Sequence, residues 1–236
     1  MTCTQIFPFP QFHPSGERCL LAVYAQGVDA AVNEKLRRIT ALLNQEKRPG
    51  IEEVVPSYSS LAVFYDPVLV NFQALCDLLR TCEQNLDAAQ IDASRTITIP
   101  VCYGGDFGPD LADVARHNQL SPAAVIARHC AALYRIFAIG FAPGFCYLGG
   151  LDESLHTPRL ETPRTLVAAG SVGIAGSQTG IYPQDSPGGW RIIGRTPLTL
   201  FNAERAEPCP YRAGDNLRFQ AVDEAAFHAI LAGEQS

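Results

Sequence analysis

Arg159, Arg164, Arg191 and Arg195 all fall within one stretch, Gly140 to Phe201, in which Asp185 is the only acid after Glu161. Guanidinium groups with so little carboxylate among them suit an anionic ligand, because each planar fork can hold a carboxylate or phosphate through two parallel hydrogen bonds. Ser171, Gln178, Thr179, Tyr182 and Thr196 add uncharged donors and acceptors to the same stretch. A pocket made from this mixture is equipped for a small ligand that is anionic or carries an amide. Arg191 and Arg195 are the candidates for catalytic charge stabilisation. Arg164, Ser171, Gln178, Thr179, Tyr182 and Thr196 are the candidates for substrate contact.

Each candidate has a structural alternative. The arginines could pair with Asp152, Glu161 or Asp185 as rim salt bridges, which are ordinary and weak. Gln178 and Thr179 lie between glycines in GSQTG, where turn chemistry also uses such residues. Ser171 sits in GSVG, which is not the G-x-S-x-G nucleophile elbow, and no nearby His or Asp completes a triad. His129 follows Ile126 and Val125 by three and four residues, so it falls on the apolar face of its helix, the usual place of a satisfied core histidine. His117, beside a helix stop, suits a role at the negative end of the helix dipole. His13, His156 and His228 have no partners at ligand spacing, and no zinc signature or other metal site is expected. The chain also lacks G-x-x-x-x-G-K-[ST], a kinase-type lysine motif and a Rossmann fingerprint.

The stretch that carries the arginines holds most of the chain's glycines and its only tryptophan, and its apolar residues follow no 3.6-residue period. It reads as short strands and shaped loops. Glycine at such density is costly to order unless the backbone needs positive φ or must approach another group closely, which points to a formed cavity.

Before this stretch, Cys19 to Tyr24 reads as a buried strand. Val32, Leu36, Ile39 and Leu43 recur at helical spacing, with Asp29 as N-cap and Pro49-Gly50 as the stop. Ile51 to Val55 and Leu61 to Tyr65 form a hairpin pattern, and Asn71 to Cys82 a second amphipathic helix. The order β-α-β-β-α, open to closure by a further strand, predicts a ferredoxin-like, split βαβ layer in an α+β N-terminal domain. The polar segment Asn85 to Ser94 marks the boundary, giving domains over 1–90 and 91–236.

Arg95 to Val101 alternates as a strand, Asp110 to His117 and Ser121 to Ala131 read as helices, and Leu133 to Ile139 returns as a strand. After the glycine-rich stretch come a strand, Leu217 to Val222, and a final helix capped by Asp223. The second domain is expected to be mostly β, a barrel or sandwich with an early helical pair.

With 236 residues, 47% hydrophobic and 18% charged, the chain has the composition of a globular protein. A net charge of −6, with Lys35 and Lys47 as the only lysines, argues against nucleic-acid binding. No apolar run is long enough for a membrane span and no secretory signal is expected. The eight cysteines form no C-x-x-C and lie mostly in apolar settings, so reduced thiols and a cytoplasmic location are expected.

Three segments carry a family resemblance: IPVCYGGDFGPDLADVA, GFAPGFCYLGGLDESLHTPR and PRTLVAAGSVGIAGSQTGIYPQDSPGGWRIIGRTPL. They resemble the family of the bacterial 5-oxoprolinase B subunit, which includes the kinase-inhibitor protein of sporulating bacteria and is also called allophanate hydrolase subunit 1. The resemblance covers essentially the whole chain. It implies a cyclophilin-like barrel after a small α+β domain. It also implies a protein that works with the C and A subunits of 5-oxoprolinase to hydrolyse 5-oxo-L-proline to L-glutamate at the expense of ATP, with Mg. The resemblance further marks Arg128-His129 as a family feature, which keeps His129 as a candidate base or substrate contact. Because no nucleotide motif is present, the ATP site is expected to be shared with a partner and the chain to be inactive alone. The alternatives are a regulator that docks on a sensor histidine kinase, or a component of a urea carboxylase or allophanate hydrolase system. The last would need a biotin carrier, and the chain contains no such motif.

Overall fold

The computed structural model describes residues 4–234, which pack as two compact units divided between Ala93 and Ser94. Cys3, one of the cysteines expected to be reduced, lies outside the described residues; the seven others are free thiols.

The first unit contains β1 (Gln5–Pro14), β2 (Cys19–Gln26), α1 (Ala30–Glu46), β3 (Ile51–Pro56), β4 (Ser60–Tyr65) and α2 (Phe72–Gln84). Asp29 caps α1 by accepting from the Ala31 and Val32 amides, and Asn71 caps α2 by accepting from that of Ala74. Caps of this kind contribute about 1 kcal/mol each. The apolar stripes of both helices face one core, where Leu36, Ile39, Leu75 and Leu79 meet Leu20 and Ala22 of β2 and Leu61 and Val63 of β4.

The four strands form one antiparallel sheet in the order β1-β2-β4-β3. A ferredoxin-like order takes a closing strand from after the second helix. Here the fourth strand comes from before β2, and a short 3-10 turn, Leu86–Ala88, follows α2. Pro8, Pro10 and Pro14 obscured β1, since proline cannot donate to a ladder. As an edge strand with a register shift between Ile6 and Gln11, β1 tolerates them.

The second unit contains β5 (Thr96–Tyr103), α3 (Leu111–His117), α4 (Pro122–Ala131), β6 (Tyr134–Ile139), β7 (Cys146–Gly149), β8 (Arg164–Val167), β9 (Ser171–Ala175), β10 (Gln178–Ile181), β11 (Ser186–Gly188), β12 (Arg191–Arg195), β13 (Asn216–Val222) and α5 (Glu224–Glu234). Seven of these strands close a barrel in the order β10-β7-β6-β13-β5-β12-β9, while β8 and β11 pair as a separate ribbon. Ile99, Val101, Ile136, Leu148, Val172, Ile174, Leu217 and Phe219 belong to the core of this unit.

Closure depends on β13, which lies parallel to β5 from Asn216 opposite Thr96 to Val222 opposite Cys102. The carboxylate of buried Asp215 fixes that register. It accepts from the Arg95 amide at 3.0 Å, from Arg95 Nη2 at 2.8 Å and from the Arg212 amide at 3.2 Å. Burial by itself would raise the Asp215 carboxyl, but the bonds from Arg95 and Arg212 outweigh it and hold the group below its ordinary value. Gly108 allows the loop before α3 to lie against β12, since a Cβ there would stand 2.0 Å from the Ile193 carbonyl oxygen.

Candidate functional site

A cleft of about 390 Å³ in the second unit lies beside the ribbon of β8 and β11. Its walls are aromatic. Phe145 sits at their centre, with ring centroids 5.5 Å from Phe141, 5.0 Å from Tyr147, 5.6 Å from Tyr182 and 5.6 Å from Trp190, each pair edge-to-face. This is the geometry that ring quadrupoles favour. Phe145 and Trp190 are buried, whereas Phe141 is 70% exposed on the β6–β7 connection at φ +70°. A bulky residue in the left-handed region is strained, and such strain concentrates at ligand clamps and other functional sites.

Chain connections complete the cleft. Pairing of β11 with β8 carries Pro187, Gly188 and Gly189 to its edge. Gly188 is required there because a Cβ would stand 2.5 Å from the Tyr182 hydroxyl. The Leu160 amide donates to the Gly189 carbonyl at 2.8 Å, which pins the incoming loop and sets Arg159 at the rim. Burial raises the Tyr182 hydroxyl pKa, opposed by a backbone hydrogen bond at Trp190 and by the charges of Arg159 and Arg164. Such a cleft can hold a flat ring and pair an anionic group on that ring with Arg159. No nucleophile and base adjoin within it.

The predicted residues do not share one pocket. Tyr182 lines the aromatic cleft. Arg164, Ser171 and Arg195 come together in a smaller pocket of about 190 Å³ with Asp106 and Phe107. Arg195 also borders a pocket of about 290 Å³ with Thr196, Phe227 and His228. Arg191, at the other end of β12, lines a separate groove of about 210 Å³ with Asp113, Arg116 and His117.

Most of these side chains already have partners. Arg164 Nη2 donates to Asp110 Oδ1 at 2.7 Å, and Asp110 Oδ2 accepts from the Ile192 amide at 2.6 Å. Arg191 pairs with Asp113 at 3.5 Å and donates through Nε to the Pro158 carbonyl at 3.4 Å. Arg195 Nε donates to the Ala169 carbonyl at 2.8 Å. The acids that pair with Arg164 and Arg191 thus lie at the start of α3; Asp152, Glu161 and Asp185 do not fill that place. Asp152 instead accepts from Ser154, and Asp185 from the Ala169 amide. Ser171 is buried on β9 opposite Arg195. The Thr196 hydroxyl accepts from the Leu198 amide at 3.3 Å. Gln178 is half-buried at the start of β10, opposite Ala175.

His129 and Thr179 meet in the barrel core. The Thr179 hydroxyl donates to the Gly173 carbonyl at 2.9 Å, so it must accept from His129 Nε2, 3.0 Å away. His129 Nδ1 then accepts from the Tyr103 hydroxyl at 2.8 Å, and the Cys130 thiol donates to that hydroxyl at 3.5 Å. These donors and acceptors fix one tautomer. The His129 ring also stacks on Phe219 at 4.4 Å. Complete burial pushes its pKa down to about 3, leaving it neutral. His129 therefore stands in a closed polar chain within the core and does not line the cleft. Among the described residues, no group of three or more His, Cys, Asp or Glu could hold a metal ion.

The sequence reading missed Phe141, Phe145, Tyr147 and Trp190 as cleft walls, and it placed Arg159 among the cations without a role. The aromatic spacing in GFAPGFCY and the isolated Trp190 were visible signals. Their convergence was not, because it depends on the barrel order that sets β7 beside β10 and β10 beside β9, with β12 next in line.

Comparison with known proteins places this architecture. Residues 10–211 match the family model described as carboxyltransferase domain, subdomain C and D. The 5-oxoprolinase B subunit of Bacillus subtilis is 38% identical over 229 residues, which cover 93% of this chain and 95% of that protein. The protein of the same name from Haemophilus influenzae is 46% identical over 187 residues, covering 79% of this chain and 87% of that one. The crystal structure of TTHA0988 superposes with a TM-score of 0.78 at 35% identity over 87% of this chain. The present chain spans 40% of the length of that longer chain. The chain belongs to the carboxyltransferase subdomain C and D family, in the group that holds the 5-oxoprolinase B subunits.

Proposed function

We propose that this chain is the B subunit of an ATP-dependent 5-oxoprolinase, which hydrolyses 5-oxo-L-proline to L-glutamate together with its C and A subunits. The observation that carries this reading is the 38% identity to a 5-oxoprolinase B subunit over 95% of that protein's length. The aromatic cleft agrees with it, being suited in size and lining to a small ring. Opening the lactam adds water across its C–N amide bond and yields the free amine and carboxylate of glutamate. ATP supplies the driving force for that step.

The described residues bring together no metal-ligand cluster, and the sequence has no phosphate loop. We propose that this chain shares its Mg and nucleotide site with the partner subunits. It is then inactive alone. Among the described residues no helix is long and apolar enough to cross a membrane. The free state of the described cysteines supports placing the complex in the reducing cytoplasm.

The test is release of glutamate and ADP from 5-oxo-L-proline and ATP, by the chain alone and then with its C and A partners. Turnover only in the full mixture is the expected result. A folded, complete mixture that releases neither product overturns the reading.

A further inference from the structure

Arg159 differs from the other arginines of the glycine-rich stretch. Arg164 is held by Asp110, Arg191 by Asp113 and the Pro158 carbonyl, and Arg195 by the Ala169 carbonyl. Among the described residues Arg159 has neither an ion pair nor a hydrogen bond, yet its backbone is fixed by the adjoining Leu160–Gly189 bond. Its charge faces an otherwise uncharged cleft of aromatic rings, prolines and glycines. We infer that the cleft is the binding site for a small flat ring bearing a single carboxylate, with Arg159 as the partner of that carboxylate and the aromatic walls enclosing the ring.

Charge balance selects this ligand class. One guanidinium can match one carboxylate in a bidentate pair, while a group with several negative charges would leave some of them unpaired beside an apolar wall. A neutral ring could use the aromatic surface but would leave Arg159 without its partner. The Gly188–Gly189 edge keeps the mouth open, because neither residue projects a side chain across it. For the identity of the ring as 5-oxo-L-proline, the inference rests on the 5-oxoprolinase reading above. Arg159 and the aromatic walls then determine substrate specificity, whichever chain of the assembly supplies the nucleotide.

Trp190 is the chain's only tryptophan and forms part of the cleft wall, so its fluorescence reports occupancy directly. The full chain is titrated with 5-oxo-L-proline and, separately, with 2-pyrrolidinone, the same lactam ring without the carboxylate. Expected are a saturable change in emission with 5-oxo-L-proline, binding at least about tenfold weaker for 2-pyrrolidinone and for Arg159→Ala, and partial recovery in Arg159→Lys, which keeps the charge but loses the fork. Silent emission in the wild-type chain overturns the inference, as does equal binding of both ligands or an Arg159→Ala variant that binds normally. Turnover by the assembled enzyme separates the two claims. An active assembly with a silent titration removes the cleft assignment and leaves the 5-oxoprolinase reading standing, whereas a responsive titration with an inactive assembly does the reverse.

Discussion

Acidification from pH 7 to pH 5 should destabilise the second unit by about 2 kcal/mol through His129 alone. The ring is completely buried and neutral, with its pKa pushed down to about 3; in the unfolded chain it returns to an ordinary value near ~6.5. A base whose folded pKa is depressed contributes stability that is complete above the unfolded value. That stability is lost as pH falls toward the folded value, because only the unfolded chain takes up the proton. Linkage puts the loss at about 0.2 kcal/mol at pH 7 and about 2 kcal/mol at pH 5. The assay is urea unfolding followed by the emission of Trp190, which reports the second unit specifically because it is the only tryptophan. His129→Gln is the matching variant, since its amide can still donate toward Thr179 and accept from Tyr103 but cannot titrate. The variant should be less stable at pH 7 by about 1–3 kcal/mol, and the gap should shrink by about 2 kcal/mol at pH 5. Parallel pH dependences in the two proteins would refute the buried, neutral histidine. An acid limb near pH 6.5 in the turnover of the assembly, abolished in His129→Gln, would return His129 to the role of general base.

Asp215→Asn should lower the stability of the second unit by about 1–3 kcal/mol at pH 7, because the carboxylate accepts charge-assisted bonds at the start of β5 and β13. Its depressed pKa means that this stabilisation is present above the ordinary carboxylate range and is lost as pH falls through the folded value. The gap from wild type should therefore close below about pH 4, and a gap that persists under acid would contradict the assignment. Gly188→Ala places a methyl group where a Cβ stands 2.5 Å from the Tyr182 hydroxyl, which should cost about 1–3 kcal/mol. It should also shift Trp190 emission, since the ring centroids of Tyr182 and Trp190 lie 6.3 Å apart; an unchanged spectrum would show that the methyl group is accommodated without disturbing the Trp190 wall.

The arginines show why the site was harder to read than the elements. A helix reveals itself through residues three and four apart and through a cap in its first turn. Val32, Leu36, Ile39 and Leu43, with Asp29 before them, therefore specified α1 directly. The alternation of Ile97, Ile99 and Val101 did the same for β5. The prolines of β1 violated the local rule and hid an edge strand that only pairing with β2 makes intelligible.

Local rules do not reach the contacts that decide the site. Arg164 meets Asp110 across 54 residues, Arg191 meets Asp113 across 78, and Arg95 meets Asp215 across 120. The acids nearest in sequence were therefore the wrong partners to expect. His129 was legible as an apolar-face histidine, but its tautomer and neutrality depend on Tyr103, Thr179 and Phe219 arriving from three separate strands, β5, β10 and β13. The sequence by itself determined the helices and their caps, most of the strands, the supply of cations and aromatics, and the family. Tertiary structure alone decided how the barrel closes, which arginines are neutralised and which one is left facing the cleft, because ion pairing and desolvation act on distance through space, whereas helix and strand periodicity act along the chain.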